Sequence, residues 1–170
     1  MAQTLELFLD AEADNAVRGL WRRLTEAGVA APVRGRPHVT FAAARTIPAA
    51  TRDLLREDLR LLSIPGLWLS TLAALDGALV LTAVVDTELL AVHSAVHDVL
   101  AKRVRQPAAY YLPGSWVPHC VLAQNLEPAD VIAGFAALYP VGSLKARITE
   151  IAVVDSLTGE KDVLRDLEGT

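Results

Sequence analysis

The sequence predicts an α+β fold of two related lobes, in which antiparallel sheets line a central cleft and helices cover the outside. Segments with helical spacing of apolar residues alternate with short apolar strands along all 170 residues. Each half also has the same order of elements: a long helix, a proline-containing loop, a Pro-His strand, a helix opened by proline, and further strand. We interpret this order as a structural duplication. We expect one bilobal domain over residues 1–170 with a pseudo-two-fold axis between the lobes.

In the first half of the chain, the sequence predicts a strand, a helix, a strand and a helix before the apolar span of residues 67–85. The strand TLELFLD (4–10) is followed by a helix over residues 12–28, where apolar residues recur at helical spacing. After a loop rich in Pro, Arg and Gly comes the strand HVTFAAA (38–44). Pro48 then opens the second helix. The buried side of that helix is expected to carry Leu54, Leu55, Leu59 and Leu62.

The apolar span of residues 67–85 has the length of a membrane helix. Its centre is Asp76-Gly77, a pair typical of hairpin turns because both residues tolerate positive φ. A charge at the centre of a bilayer is also costly. The span therefore predicts two strands, 67–75 and 78–85. Because the first ten residues also lack the pattern of a secretion signal, we expect a cytoplasmic protein with no membrane partner.

The second half repeats this organisation. An aspartate is the predicted N-cap of a helix over residues 86–104, and a loop (105–118) leads to the strand HCVLAQ (119–124). A short helix opened by proline is expected over residues 128–139. The apolar segment at 144–156 predicts one strand or a pair of strands. The charged tail after it is either a short strand or a frayed end.

Composition narrows the possible ligands. The net charge is −4, and it is not concentrated in a basic arm, which excludes wrapping of a long nucleic-acid duplex. Cys120 is the only cysteine, so there is no internal disulfide and no zinc cluster built from cysteines. We expect a monomer without a cofactor, and a small phosphorylated ligand is compatible with this composition.

The Pro-His phrase occurs in RPHVTFAA and again in VPHCVLAQ. Residues i and i+2 of a strand face the same side, so His38 projects with Thr40, and His119 projects with Val121. A histidine exchanges protons near neutral pH, and a threonine hydroxyl can donate to an anionic oxygen. Facing each other across a cleft, the two histidines could act on a phosphoryl group. One would take a proton from water, and the other would give a proton to the departing oxygen.

PHVT (37–40) and PHCV (118–121) resemble the paired His-x-Thr/Ser motifs of the two-histidine (2H) phosphoesterase superfamily. This superfamily includes 2′-5′ RNA ligase-like proteins and 2′,3′-cyclic phosphodiesterases. The resemblance extends over nearly the whole chain in length, element order and motif spacing. It implies that His38 and His119 are the catalytic acid and base and that Thr40 binds phosphate. It also implies metal-independent hydrolysis of a 2′,3′-cyclic phosphate or a related phosphodiester at a nucleotide or RNA end.

Val121 departs from the motif, because valine has the shape of threonine without its hydroxyl. Loss of such a donor typically slows a reaction by about 10²–10³-fold. Three explanations stay open. Either the preceding loop supplies another donor, or the enzyme is slow or suited to another phosphoester, or the cleft binds a nucleotide or RNA end without turnover. The candidate donors of the loop are Ser115, Tyr110 and Tyr111. An interaction domain with incidental histidines is a further alternative.

Several other side chains near the motifs are candidates for substrate contact. Tyr110, Tyr111 and Trp116 precede the second motif, where a base or ribose could stack on them. Arg34 and Arg36 precede the first motif and could reach a phosphate.

His93 and His97 are four residues apart and share a helical face. No third metal ligand is evident and the sequence lacks a His-Glu-x-x-His pattern, so we interpret them as the flank of an amphipathic helix. Cys120 alternates away from its histidine neighbour and is expected to pack inside.

Overall fold

The computed structural model describes residues 2–31 and 35–168. Nine strands, four α-helices and one 3₁₀ turn are assigned within these residues. In chain order they are β1 (Gln3–Leu9), α1 (Ala11–Glu26), β2 (His38–Thr46), α2 (Ala49–Leu61), β3 (Leu67–Leu75), β4 (Ala78–Ala83), α3 (Thr87–Leu100), β5 (Arg105–Pro107), the 3₁₀ turn (Ala109–Tyr111), β6 (His119–Ala123), α4 (Pro128–Leu138), β7 (Leu144–Ala146), β8 (Ile148–Asp155) and β9 (Lys161–Asp166).

The strands form two antiparallel sheets, in the orders β5-β2-β1-β8-β9 and β6-β4-β3-β7. The units β1-α1-β2 and β4-α3-β6 correspond, since in each one a helix links two neighbouring strands of the same sheet. The halves are also interlocked. The first half sends β3 into the second sheet, and the second half sends β8 into the first sheet. The α+β class and the duplicated, bilobal arrangement are those that the sequence predicts.

Helices from both halves cover each sheet. α1 and α4 pack on the second sheet and on each other, whereas α2 and α3 pack together beside the first sheet. The approach of α4 depends on Gly134, because a Cβ at this position would lie 2.1 Å from Cδ1 of Leu79 on β4. Leu79 is itself fully buried, so a larger residue in α4 would press on the core.

Local signals fixed most of the element starts. Asp10 caps α1 by accepting from the Ala13 amide at 3.0 Å, and Asp86 caps α3 by accepting from the Leu89 amide at 2.8 Å. The predicted hairpin turn is also present, with φ of 45° at Asp76 and 71° at Gly77.

Four expectations need correction. α3 ends at Leu100 rather than near residue 104, and Lys102 has a left-handed φ of 62°. The segment 105–118 is not only a loop, because it contains β5 and the 3₁₀ turn. The strand expected to reach residue 85 ends at Ala83. Leu54 is 42% exposed, since it lines an open groove between α2 and α3, with Ala95 and Val99 on the α3 side.

The open alternatives at the C-terminus are resolved in favour of strands. Residues 144–156 form a pair, β7 and β8, which belong to different sheets, and the charged tail forms β9. Among the residues that the structure describes, none of the helices has the length and apolar character needed to cross a bilayer.

Candidate active site

Strands β2 and β6 expose the two motifs in the same way. On β2, His38 and Thr40 are half-buried, whereas Val39 and Phe41 are at most 1% exposed. The same alternation begins at His119 on β6, where the histidine and the residue two positions later are half-buried and the residues between them and after them are buried. Each motif therefore presents its histidine and its third-position side chain on one face of its sheet.

The two motif strands come together where the sheets meet. The Cys120 thiol lies against the backbone N–H of His38, and Cys120 directly follows His119 in the chain. Burial raises the pKa of this thiol to about 12, so it stays protonated and packs as an apolar group, as expected.

Both imidazoles are anchored through the same ring nitrogen. Nδ1 of His38 lies 2.8 Å from the carbonyl oxygen of Arg36, and Nδ1 of His119 lies 2.7 Å from that of Val117. A carbonyl oxygen only accepts hydrogen bonds, so Nδ1 carries the proton in each case. In the neutral ring Nε2 is then the nitrogen with a free lone pair, so it is the atom available for proton exchange with a ligand.

The third residue of each motif accepts a backbone hydrogen bond from one tryptophan. The indole N–H of Trp116 donates to the Thr40 carbonyl oxygen at 3.0 Å, and that of Trp21 donates to the Val121 carbonyl oxygen at 3.1 Å. Trp116 lies in the loop before β6, and Trp21 lies in the helix before β2. Each motif is therefore held by a side chain that belongs to the other half of the chain.

A buried carboxylate lies beside the first motif. Glu6 on β1 pairs across the sheet with Thr40 and is only 8% exposed. Its Oε2 lies 3.6 Å from Nδ1 of His38, and the Thr4 hydroxyl donates to its Oε1 at 2.7 Å. Glu6 was not predicted as a site residue; it is the single acidic residue of β1, but its position beside the motif depends on the pairing of β1 with β2.

Tyr111 reaches the first motif, where its phenol lies near the Thr40 side chain. Burial raises the pKa of Tyr111, as do Tyr110 and Glu6, and the nearby Thr40 hydroxyl opposes this rise. The phenol is therefore protonated at neutral pH and can act as a donor.

Tyr110 lies nearer the second motif. Its ring is 6.0 Å from the His119 ring, and burial raises the pKa of its hydroxyl, with Asp76 adding to the effect. Within the described residues, this hydroxyl is the buried side-chain polar atom that has no hydrogen-bond partner. Ser115, the other candidate donor of this loop, is exposed.

Arg36 is directed toward neighbouring side chains. Its guanidinium lies 3.7 Å from a carboxylate oxygen of Glu150, 4.0 Å from one of Asp14, and 4.9 Å from the centre of the Phe8 ring. The side chain remains 39% exposed, so it can exchange these partners for an anion. Arg34 lies outside the described residues.

A cavity of about 660 Å³ opens beside the motifs. Its lining includes His38, Val121 and Trp21, together with the polar side chains of Gln124 and Asn125. His119 is not among the residues that line it, so the cavity lies to one side of the two histidines. It has room for a group attached to a phosphate, and Gln124 and Asn125 were not predicted to line it.

The interpretation of His93 and His97 as the flank of an amphipathic helix needs correction. His93 is 1% exposed, and Nε2 of both rings donates to the carbonyl oxygen of Phe41 on β2, at 3.1 and 3.0 Å. The His93 ring also stacks on Trp116, with 3.9 Å between ring centres and an angle of 2°. In the described parts of the chain, no group of three or more His, Cys, Asp or Glu residues is arranged to hold a metal ion.

Comparison with known proteins identifies structures of similar fold and the family of the chain. The PDE domain of MHV ns2 has a similar fold, with a TM-score of 0.55 and 18% identity over 87% of this chain and 99% of that one. Usb1 of Kluyveromyces marxianus matches with a TM-score of 0.47 and 11% identity over 96% of this chain and 97% of that one. No curated protein matches the chain. The model of the 2′-5′ RNA ligase superfamily matches residues 9–160, so the chain belongs to that superfamily, that of the two-histidine phosphoesterases.

Proposed function

We propose that the protein is a phosphodiesterase that hydrolyses a 2′,3′-cyclic phosphate or a related phosphodiester at a nucleotide or RNA end. His38 and His119 act as its acid and base, and Thr40 binds the phosphate. Membership of the superfamily supports phosphodiester chemistry, and one solved neighbour is described as a PDE domain. The observation that carries the proposal is the matched anchoring of both imidazoles through Nδ1, which leaves Nε2 of each ring for proton transfer.

The reaction follows from this tautomer. The neutral imidazole takes a proton from water through Nε2 while the water oxygen bonds to phosphorus. The protonated imidazole gives its Nε2 proton to the ribose oxygen as the phosphorus–oxygen bond breaks, which yields a linear phosphomonoester. The Thr40 hydroxyl donates to a non-bridging oxygen, where negative charge develops. All these steps use protein side chains and water, so the scheme requires no metal.

The remaining candidates act as substrate contacts in this proposal. The Tyr111 phenol, near the Thr40 side chain, lies at the edge of the phosphate position, and Tyr110 lies beside His119. Arg36 exchanges a carboxylate partner for a substrate oxygen. Val121 occupies the third position of the second motif, so it contacts the substrate beside the phosphate without donating a hydrogen bond.

A second candidate function is binding of a nucleotide or RNA end without turnover. One observation favours it. Val121 lacks the motif hydroxyl, and its cross-strand neighbour Val80 is apolar and fully buried. Phosphate bound there would meet fewer donors than at the first motif.

The decisive assay follows release of the linear phosphomonoester from a short RNA ending in a 2′,3′-cyclic phosphate, in excess chelator. We expect turnover by the wild type, with a bell-shaped dependence on pH, and near-complete loss in His38→Ala and in His119→Ala. Unchanged thermal unfolding of both variants is the control for folding. Wild-type turnover in either variant would contradict the two-histidine mechanism. Binding of a nucleoside monophosphate without any turnover would support the second candidate.

A further inference from the structure

The residue opposite His119 is a threonine. Thr82 on β4 is paired in register with His119 on β6. The next pair along is joined by a backbone hydrogen bond from the Ala83 amide to the Pro118 carbonyl oxygen, at 2.9 Å. Hydrogen-bonded and non-hydrogen-bonded pairs alternate along an antiparallel ladder, so Thr82 and His119 form a non-hydrogen-bonded pair. The side chains of such a pair approach more closely than those of the other kind.

Thr82 also points to the same side as the motif. Its neighbours Leu81 and Ala83 are buried, at 0% and 8% exposure, whereas Thr82 is half-buried like His119. Directly opposed side chains have Cβ atoms about 4.5–5.5 Å apart. Val121, two residues along the strand from His119, lies roughly 6.6 Å away by the rise of a strand. A hydroxyl at Thr82 is thus no farther from the imidazole than one at the motif position.

The two sheets differ in which strand carries this hydroxyl. Beside His38, the hydroxyl is on the motif strand itself, at Thr40, and the residue opposite the histidine is Phe8. Beside the second histidine the order is reversed, because the motif strand carries the apolar Val121 and the neighbouring strand carries the hydroxyl. Each sheet therefore offers one hydroxyl next to its histidine, on the face that lines the cleft.

We propose that Thr82 supplies the phosphate hydrogen bond that the second motif lacks at Val121. This inference rests on the proposed function, since it assumes a phosphoryl group between the histidines. The Thr82 hydroxyl donates to the Thr71 carbonyl oxygen at 3.4 Å, which is long for such a bond. Rotation about the Cα–Cβ bond exchanges this weak contact for a charge-assisted bond to a non-bridging phosphate oxygen.

The first test removes the hydroxyl and keeps the shape of the side chain. Thr82→Val is expected to lower kcat/KM for the cyclic phosphate by about 10²-fold, the usual effect of losing an oxyanion donor. Thr82→Ser keeps the hydroxyl and should retain most of the activity. Thr71→Val is the matched control, since it removes the threonine hydroxyl one strand farther from His119, and it should leave kcat/KM unchanged.

The second test is rescue. In the Thr82→Val background, Val121→Thr returns a hydroxyl to the motif strand and should recover kcat/KM about tenfold or more, as expected for one hydrogen bond to a charged group. In the wild type the same change should raise kcat/KM by a smaller factor than it does in Thr82→Val, because one donor is already present there. A structural defect in Thr82→Val would not be repaired from another strand, so failure of this rescue would overturn the inference.

The outcomes separate this inference from the proposed function. If wild type and Thr82→Val turn over equally, Thr82 is not the donor and the phosphodiesterase stands. If the wild type shows no turnover, the proposed function fails. Thr82 is then judged by titration of inorganic phosphate, followed through the NMR signals of the His119 ring. A Kd about tenfold weaker in Thr82→Val would uphold the inference, as one charge-assisted hydrogen bond requires. An equal Kd, or no binding by the wild type, would overturn it.

Discussion

The buried imidazole of His93 should make the fold sensitive to mild acid. The ring is enclosed between Trp116 and Phe41, it donates to the Phe41 carbonyl oxygen, and it lies 4.4 Å from the His97 ring. Burial and, to a smaller extent, the neighbouring His97 lower its pKa from 6.5 to about 4. The unfolded chain therefore binds a proton at His93 much more readily than the folded chain does.

The sign and size of the effect follow from this difference. As pH falls from 6.5 toward 4, the unfolded chain binds a proton at His93 and the folded chain does not, so the free energy of unfolding decreases. Above pH 6.5 the full stability is present. Each pKa unit corresponds to about 1.4 kcal/mol, so this one side chain accounts for a loss of about 3 kcal/mol across the window. That is a substantial part of the stability of a typical domain.

Urea unfolding measured at several pH values would test this prediction. His93→Gln keeps an N–H donor for the Phe41 carbonyl oxygen but does not titrate. It should lose most of the pH dependence between pH 4 and 6.5. His97→Gln is the matched control. Burial contributes more than His97 to the lowered pKa, so that variant should keep most of the dependence. An equally steep loss of stability in His93→Gln and wild type would refute the reasoning.

Three further substitutions test individual contacts of the fold. Asp86→Ala removes the cap of α3 and should lower the free energy of unfolding by about 1 kcal/mol in urea titration. Trp116→Phe removes the donor to the Thr40 carbonyl oxygen and should cost about 1 kcal/mol, with a lower kcat in the cyclic phosphate assay. Gly134→Ala should lower the melting temperature, because overpacking against Leu79 costs about 1–3 kcal/mol and outweighs the gain of about 1 kcal/mol in helix propensity. Unchanged unfolding in the first two, or a higher melting temperature in the third, would contradict these expectations.

The parts of the fold that were predictable depend on local signals. Proline at the start of a helix, the Asp86 cap and the Asp76-Gly77 turn act within a few residues, and each is found where the sequence predicts it. The duplicated order of elements was also readable, because it needs only the sequence of helices and strands. The extent of the domain over residues 1–170 stays a prediction.

The parts that were missed depend on pairing between distant segments. β5 has no apolar alternation, and its strand geometry comes from pairing with Ala44 and Thr46 on β2. The separation of β7 and β8 into different sheets likewise depends on partners far along the chain. Leu54 matches the apolar spacing of α2, yet it lines an open groove beside α3 and stays 42% exposed.

The candidate site divides in the same way. Alternation along one strand was enough to expect His38 and Thr40 on a common face. The neighbours Glu6 and Thr82 could not be anticipated, because they face the motifs across strands whose register the sequence does not specify. The catalytic and binding roles of all these residues stay predictions until they are tested.

The contrast between a symmetric backbone and asymmetric side chains has a chemical consequence. Both histidines have the same carbonyl anchor, and both motifs accept a hydrogen bond from a tryptophan, so the backbone surroundings of the two rings are alike. The proposed hydrolysis of a cyclic phosphodiester, however, requires water on one side of the phosphorus and a ribose oxygen on the other. Only the side chains around the rings can distinguish these sides. Two such differences are the carboxylate of Glu6 beside His38 and the hydroxyl of Thr82 opposite His119. Replacing either side chain by an apolar one should therefore change the orientation of the substrate more than it changes the fold.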